Sequence, residues 1–365
     1  MKKRIKSIDI FRGSSMLWMF LAHLQAWWIR DEDRAYYLLT FAIFDVIGAA
    51  GFIFIAGVST AISYQNRLKK YENKEPPKSK IIRNEYVFRA FFILIIALIY
   101  NSMTAIGLQD PLRIWTWFVL LTIAISLFLC WPLLKLRKEI RILIGFGIWI
   151  LHRILVSFLE PYEDVYSYYG ILYFILYHTP DLNPILAFFP FLVFGTVVGE
   201  TIHEIYSIED LNMRKQWIKK RLIAPLLFFG GILIMFGIVY DFPEFFQHRT
   251  FPWLFYSLGI QLCFLAMLFL GEEFLFSHIE KSYKFLFYFS YYSLTVFLSH
   301  YLLFFLFSRE LSLIRIWATI LIVTILVGLV LRIIYKLLGS KASLKNHIGR
   351  WSLELAQIIE NQKRD

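Results

Sequence analysis

Residues 222–240 read LIAPLLFFGGILIMFGIVY, nineteen positions without a charged side chain. A helix needs about 20 apolar residues to cross the hydrocarbon core of a bilayer. A helix at the edge of a soluble domain is apolar on one stripe only, whereas this run is apolar on every face. Working outward, comparable runs recur at 8–29, 37–63, 87–106, 114–134, 141–159, 185–203, 251–271, 285–307 and 312–336. With 222–240 they make ten expected spans. The whole chain of 365 residues follows the same bias, 58% hydrophobic and only 18% charged. Soluble domains average about 45–50% apolar and 25% charged. Disorder, collagen and a disulfide-rich scaffold are excluded. The two cysteines, Cys130 and Cys263, lie inside apolar runs and form no CxxC pair, so neither a zinc site nor a disulfide framework is expected. No signal-peptide pattern opens the chain.

The net charge of +11 would suggest nucleic acid in a soluble protein. Here the cations alternate with the runs, which is a topology signal. The connectors 67–83 (RLKKYENKEPPKSKIIR), 135–141 and 213–221 (MRKQWIKKR) are basic, whereas 30–34 (RDEDR) and 160–170 (EPYEDVYSYYG) are acidic. Crossing at every run puts 31 of the 38 Lys and Arg on one side, which the positive-inside rule makes cytoplasmic. The expected fold is an all-α membrane protein, a bundle of about ten transmembrane helices with both termini inside. It divides into a transmembrane domain, 1–340, and a cytoplasmic tail, 341–365. In the outer segment 160–184, the apolar stretch 171–177 is too short to span and reads as an interfacial helix. In the tail, Leu344, Ile348, Trp351, Leu355 and Ile358 or Ile359 recur at helical spacing, an amphipathic helix with a basic face lying on the inner leaflet.

Ionisable groups inside spans are costly and mark functional positions. Arg12 and His23 stand 11 positions apart, so they share one face of the first helix with an axial separation of about 16 Å. Arg12 then lies near the cytoplasmic boundary and His23 beyond the midplane. Asp45, at a comparable depth in the second run, is the expected partner of His23, orienting the imidazole; an interfacial Asp bound to water is the alternative. Arg89, Asn101, the pair His152-Arg153 and His300 complete the set, and Glu160 is the expected partner of Arg153. A lone intramembrane His is more often a packing residue than a catalyst, which applies to His300.

The opening Arg4-Ile-Lys-Ser7-Ile-Asp9-Ile-Phe11-Arg12-Gly13 resembles the R-x-x-S-x-D-x-F-R-G start of the heparan-α-glucosaminide N-acetyltransferase family. Phe52 to Ser59 resembles its F-x-F-I-x-G-x-S motif. Weaker similarities occur at 188–195, 250–259 and 292–300. Arg12-x10-His23 also has the spacing of the R-x10-H motif in membrane acyltransferases that O-acetylate surface glycans. The resemblance implies a multi-span acyltransferase that takes an acetyl or acyl group from cytosolic acyl-CoA. The acceptor is a hydroxyl or amine of a sugar or other small molecule on the extracytoplasmic side. Departures accompany it. The heparan enzyme commonly has Asn at the position of His23 and its catalytic His in the first outer loop, whereas this chain has no His between positions 24 and 151.

On this reading His23 is the base or acyl carrier, Asp45 its partner and His300 the rival base. Arg12 meets the CoA phosphates, with Arg89, Asn101 and Arg153 as further donor-site candidates. Lys69, Lys70 and Arg83 are basic loop residues near the nucleotide, and Asn101 or Ser59 supplies oxyanion donors. Acyl-CoA is the co-substrate and no metal is expected. Partners are acyl-CoA, the acceptor and membrane lipid, with no nucleic acid; a homodimer is an admissible assembly in the cell membrane. The competing class is a multi-span transporter with Arg153 and His300 along a solute path.

Overall fold

A computed structural model of the chain describes residues 4–71, 79–178, 182–244, 249–275 and 283–362. Among them the regular structure is helical. The first elements are α1 (Lys6–Trp28), α2 (Arg34–Phe44), α3 (Ala49–Tyr71), α4 (Ser79–Gly107) and α5 (Val119–Leu133). Then come α6 (Lys138–Leu159), α7 (Tyr168–Tyr177), α8 (Ile185–Tyr206), α9 (Leu211–Trp217) and α10 (Ala224–Asp241), the last two joined by a π-helical turn. The chain continues as α11 (Phe251–Leu270), α12 (Lys284–Tyr291), α13 (Ser293–Ser299), α14 (Leu313–Leu337) and α15 (Leu344–Gln362).

Among the described residues seven helices are long and apolar enough to cross a membrane: Asp45–Tyr71, Lys80–Gly107, Lys138–Tyr162, Ile185–Tyr206, Leu211–Asp241, Phe251–Leu275 and Leu313–Leu337. The bent pair Lys284–Tyr291 and Ser293–Leu306 makes an eighth if it is counted as one span. The remaining runs of the expected ten have visible reasons to differ. α1 is long enough, but it buries Ser7, Asp9, Ser15 and Gln25 within the protein, so it is less apolar than the other seven. The run 114–134 contains only fifteen helical residues, because Pro111–Trp115 forms a 3-10 turn and Thr116 to Phe118 are not helical. The run 285–307 bends by 74° at Tyr292, and 37–63, which supplies the span Asp45–Tyr71, is interrupted at Asp45–Gly48.

Backbone freed at membrane depth must find new partners. At the first break the Val46 carbonyl accepts from Ser257 Oγ at 3.2 Å and Gln261 Nε2 at 2.9 Å. At the second, Ser343 Oγ donates to the Tyr291 carbonyl at 3.3 Å and Lys345 Nζ to the Ser290 carbonyl at 3.3 Å. Both interruptions are therefore built in by specific polar side chains.

The chain divides into two compact units. The first comprises 1–52 and 208–347, the second 53–207 and 348–365. In the first, α1 lies against α11, α12 and α14, and α10 against α11. Gly13 is required there, because a Cβ would stand 2.2 Å from the Leu286 carbonyl oxygen. In the second unit, α8 lies against α5 and α6. α8 carries Gly195 and Gly199, whose Cβ positions fall 2.1 Å from the Phe54 oxygen and 2.3 Å from the Val58 oxygen of α3. Gly57 makes the reciprocal approach to Leu192. Small residues at such crossings let backbones touch where lipid supplies no hydrophobic drive between helices.

The short helix expected at 171–177 is α7, ten residues long and capped by Ser167 Oγ, which accepts from the Gly170 amide at 3.1 Å. The tail helix is α15, with Ile348, Ser352 and Ala356 buried and Trp351, Leu355 and Ile358 exposed.

Candidate active site: a histidine pair at a broken helix

The start of α1 is clamped. Glu272 accepts hydrogen bonds from the Lys6 and Ser7 amides, at 3.0 and 2.7 Å, and from the Ser7 hydroxyl at 2.6 Å. A carboxylate there satisfies orphan N–H groups and complements the helix dipole. Arg4 pairs with Asp9, which also accepts from Ser290 Oγ at 3.3 Å. Arg4, Ser7, Asp9 and Gly13 of the opening motif are thus committed to seating the helix. Phe11 is fully buried. Arg12 is half-buried, and because α1 is unbroken it shares the face of His23.

The far end of α1 is held by the segment after the bent helix. The amides of Arg309 and Leu311 donate to the Trp27 and Trp28 carbonyls at 3.0 and 2.8 Å. Arg30 N–H returns a bond to the Leu311 carbonyl at 3.0 Å, and the Trp28 indole donates to Leu303 at 3.1 Å. Orphan carbonyls of α1 are satisfied this way, and the α1 end is fixed against residues 300–313.

Between these anchor points His23 meets His300. His23 Nδ1 lies 2.7 Å from His300 Nε2. The rings are 22° from parallel with centroids 4.9 Å apart, the spacing of two imidazoles joined edge to edge through an in-plane N–H···N bond. His300 opens the 3-10 segment His300–Leu306, and its Nδ1 bonds the Phe297 carbonyl. A carbonyl only accepts, so the network assigns the His300 proton to Nδ1. Neutral His300 then accepts at Nε2, His23 donates from Nδ1, and the lone pair on His23 falls at Nε2. His300 is buried, His23 half-buried. Trp27 lies over His300, 5.2 Å between centroids and 17° from parallel, with Tyr301 and Phe304 edge-on to it.

Asp45 is not the partner of His23. Its carboxylate is buried and bound through both oxygens by Arg249, at 2.8 and 3.0 Å. The guanidinium sits 5.5 Å from the Trp253 ring centroid and 5.7 Å from that of Phe41. A bidentate Arg outcompetes a neutral imidazole for a buried carboxylate. The sequence signal for Arg249 was its place among the few cations outside the basic connectors.

The other candidates lie in the second unit. Asn101 is buried, and its amide donates to the Ile114 and Thr116 carbonyls at 3.0 and 2.8 Å, holding the turn before α5. Ser59 Oγ donates to Ile55 within its own helix at 2.8 Å. Arg89 is half-buried on α4, and Arg153 is exposed on α6. The ion pairs of α6 among the described residues are Lys138–Glu204 and Arg141–Glu200, so Arg153 does not pair with Glu160. Arg141 is wholly buried and also donates to Thr196 Oγ at 3.1 Å, although in the sequence it is one of the cations of the basic connector 135–141. Among the described residues no group of three or more His, Cys, Asp or Glu is arranged to hold a metal ion.

A multi-span helical membrane protein with an imidazole pair at a helix break defines the class. Residues 4–240 match the family described as heparan-alpha-glucosaminide N-acetyltransferase, catalytic, and the chain belongs to that family. No curated protein matches the chain. Family membership makes it a membrane transferase. His300 lies beyond the matched residues, so the structure adds a group to the site that the match does not reach.

Proposed function

We propose that the protein transfers an acetyl or acyl group from cytosolic acyl-CoA to a hydroxyl or amine of a sugar or other acceptor on the extracytoplasmic side. Family membership favours a transferase over a transporter. The observation that carries the reading of the site is the 2.7 Å contact between His23 and His300.

The acceptor X–H approaches Nε2 of His23, which removes its proton as X attacks the thioester carbonyl. His23 then carries a positive charge, and its Nδ1–H points at His300 Nε2. His300 is itself polarised by its bond to the Phe297 carbonyl, so the pair spreads the charge over two rings and a peptide dipole. Collapse of the tetrahedral intermediate expels the CoA thiolate, which takes the proton from His23. If Nε2 attacks the thioester first, the thiolate leaves and the same pair stabilises an acyl-imidazolium; the acceptor X–H then attacks its carbonyl, the N–acyl bond breaks to regenerate neutral His23, and the acceptor proton passes to the CoA thiolate. Arg12, on the inner stretch of the same helix face, binds CoA phosphate. Crossing at all ten apolar runs, which puts 31 cations on one side, supports an orientation with both termini inside.

Purified protein in detergent is tested for acceptor-dependent consumption of acyl-CoA. His23→Ala is expected to bind acyl-CoA and fail to transfer. Transfer by His23→Ala at the wild-type rate per folded molecule overturns the assignment.

A further inference from the structure

His300 stands eight positions beyond Tyr292, where the chain bends by 74°. At about 1.5 Å per residue the arm from the bend to His300 is about 12 Å long, so a change of about 5° in the bend moves the ring by about 1 Å. A displacement of that size takes a 2.7 Å contact out of hydrogen-bond range. The histidine pair therefore depends on how firmly the bend is held.

The segment 339–346, which follows α14, is bonded to both arms of that bend. On the α12 arm, Ser343 and Lys345 donate to the Tyr291 and Ser290 carbonyls, and the Asn346 side-chain amide donates to the Tyr291 hydroxyl at 2.9 Å. At the bend itself, the Tyr292 hydroxyl donates to the Gly339 carbonyl at 2.7 Å. On the α13 arm, the Thr295 hydroxyl donates to the Ala342 carbonyl and accepts from the Leu344 amide, both at 3.3 Å. A segment bonded to both arms acts as a splint. We propose that residues 339–346 position His300 for acyl transfer, with Tyr292 and Thr295 as the positioning residues that they hold. The proposal rests on the acyl-transfer reading above.

Satisfying the backbone explains only part of this bonding. Ser343 and Lys345 answer the carbonyls that the bend frees. The side chains of Tyr292, Thr295 and Asn346 add bonds that no freed carbonyl of the bend requires. Ser290, Tyr292 and Ser343 are buried, so water does not compete for these bonds. The α12 arm is also tied to the helix that carries His23, because Ser290 Oγ donates to Asp9. Beyond His300, the amides of Arg309 and Leu311 hold the chain to the end of α1. His300 thus sits between two fixed points, and the bend angle is what the splint adds.

The test uses full-length protein in nanodiscs. Tyr292→Phe combined with Thr295→Val removes both hydroxyls and keeps both shapes. It is expected to lower kcat about tenfold with KM for acyl-CoA unchanged. In the His300→Phe background the same two changes should cost no further kcat, because the pair is already gone. Equal losses in the two backgrounds overturn the proposal, as does an unchanged kcat in the folded double variant. Thr295→Ser keeps the hydroxyl and should retain the wild-type kcat. If the double variant does not fold, Thr295→Val alone carries the same comparison. A second readout needs no turnover. Nitrogen-15 NMR of histidine-labelled protein reads the N–H···N bond as a through-bond coupling between the two imidazoles, assigned by its absence in His300→Phe. The coupling should persist in Thr295→Ser and vanish in the double variant; its survival there overturns the proposal. Wild-type protein that shows the coupling but consumes no acyl-CoA overturns the acyl-transfer reading and leaves the positioning of His300 standing.

Discussion

His23 and His300 stand 277 positions apart in sequence and 2.7 Å apart through their ring nitrogens. On the proposed mechanism the contact makes His300 a partner of His23 rather than a rival base. It also leaves the lone pair of His23 on Nε2, because a backbone carbonyl assigns the proton on His300 and His300 in turn assigns the one on His23. A packing His needs only one satisfied nitrogen, and this arrangement leaves one nitrogen of a half-buried ring for chemistry.

The pair should show unequal losses. His23→Ala removes the proposed base and is expected to cost on the order of 10²–10⁴ in transfer rate per folded molecule. His300→Phe keeps the ring against Trp27 but removes the acceptor for His23 Nδ1. About tenfold or more should be lost from kcat, with little change in KM for acyl-CoA. Steady-state kinetics on the two variants and the double variant decides it, since groups acting as a unit are non-additive.

Arg12 is the cation on the His23 face. Arg12→Ala should raise KM for acyl-CoA by roughly tenfold with the melting temperature preserved. Unchanged KM in a stable variant removes Arg12 from the donor site.

The Asp45–Arg249 pair should behave as a structural lock. Asp45→Asn or Arg249→Met leaves a buried charge uncompensated and is expected to cost about 3 kcal/mol. The double variant should cost less than the sum of the two. Denaturant titration in detergent reads the cycle, and transfer per folded molecule should survive in it.

The glycine crossings in the second unit give a steric prediction with its own control. Gly195→Ala forces the α8 backbone off Phe54 and should cost about 1–3 kcal/mol. Gly147→Ala, where nothing lies within 4 Å of the added carbon, should be neutral or slightly stabilising. Thermal melting of the two purified variants is the measurement.

Topology can be read by labelling. A cysteine at position 166, where Tyr166 is fully exposed, should react with an impermeant reagent added to intact cells. A cysteine at 69 should react only after the membrane is opened. Labelling of 69 from outside reverses the orientation.

Composition and run length alone determined that the chain is a helical membrane protein. A polar backbone can enter lipid only as a helix or a closed barrel, and the runs have helical length. Spacing alone put Arg12 and His23 on one face, because an unbroken helix has a fixed pitch. The opening motif was legible as a signature, yet its use was not. The clasp of Ser7 by Glu272 and of Asp9 by Arg4 and Ser290 involves partners whose positions no local pattern encodes. The same holds for the two helix breaks. Asp45–Gly48 and Tyr292 lie in runs that hydropathy reads as continuous, and they open because Ser257, Gln261, Ser343 and Lys345 arrive from elsewhere to bond the freed carbonyls. Partner choice was decided by tertiary structure too. Asp45 went to Arg249 and His23 to His300, since long-range pairing depends on which helices the fold sets side by side, and periodicity along one helix carries no such information.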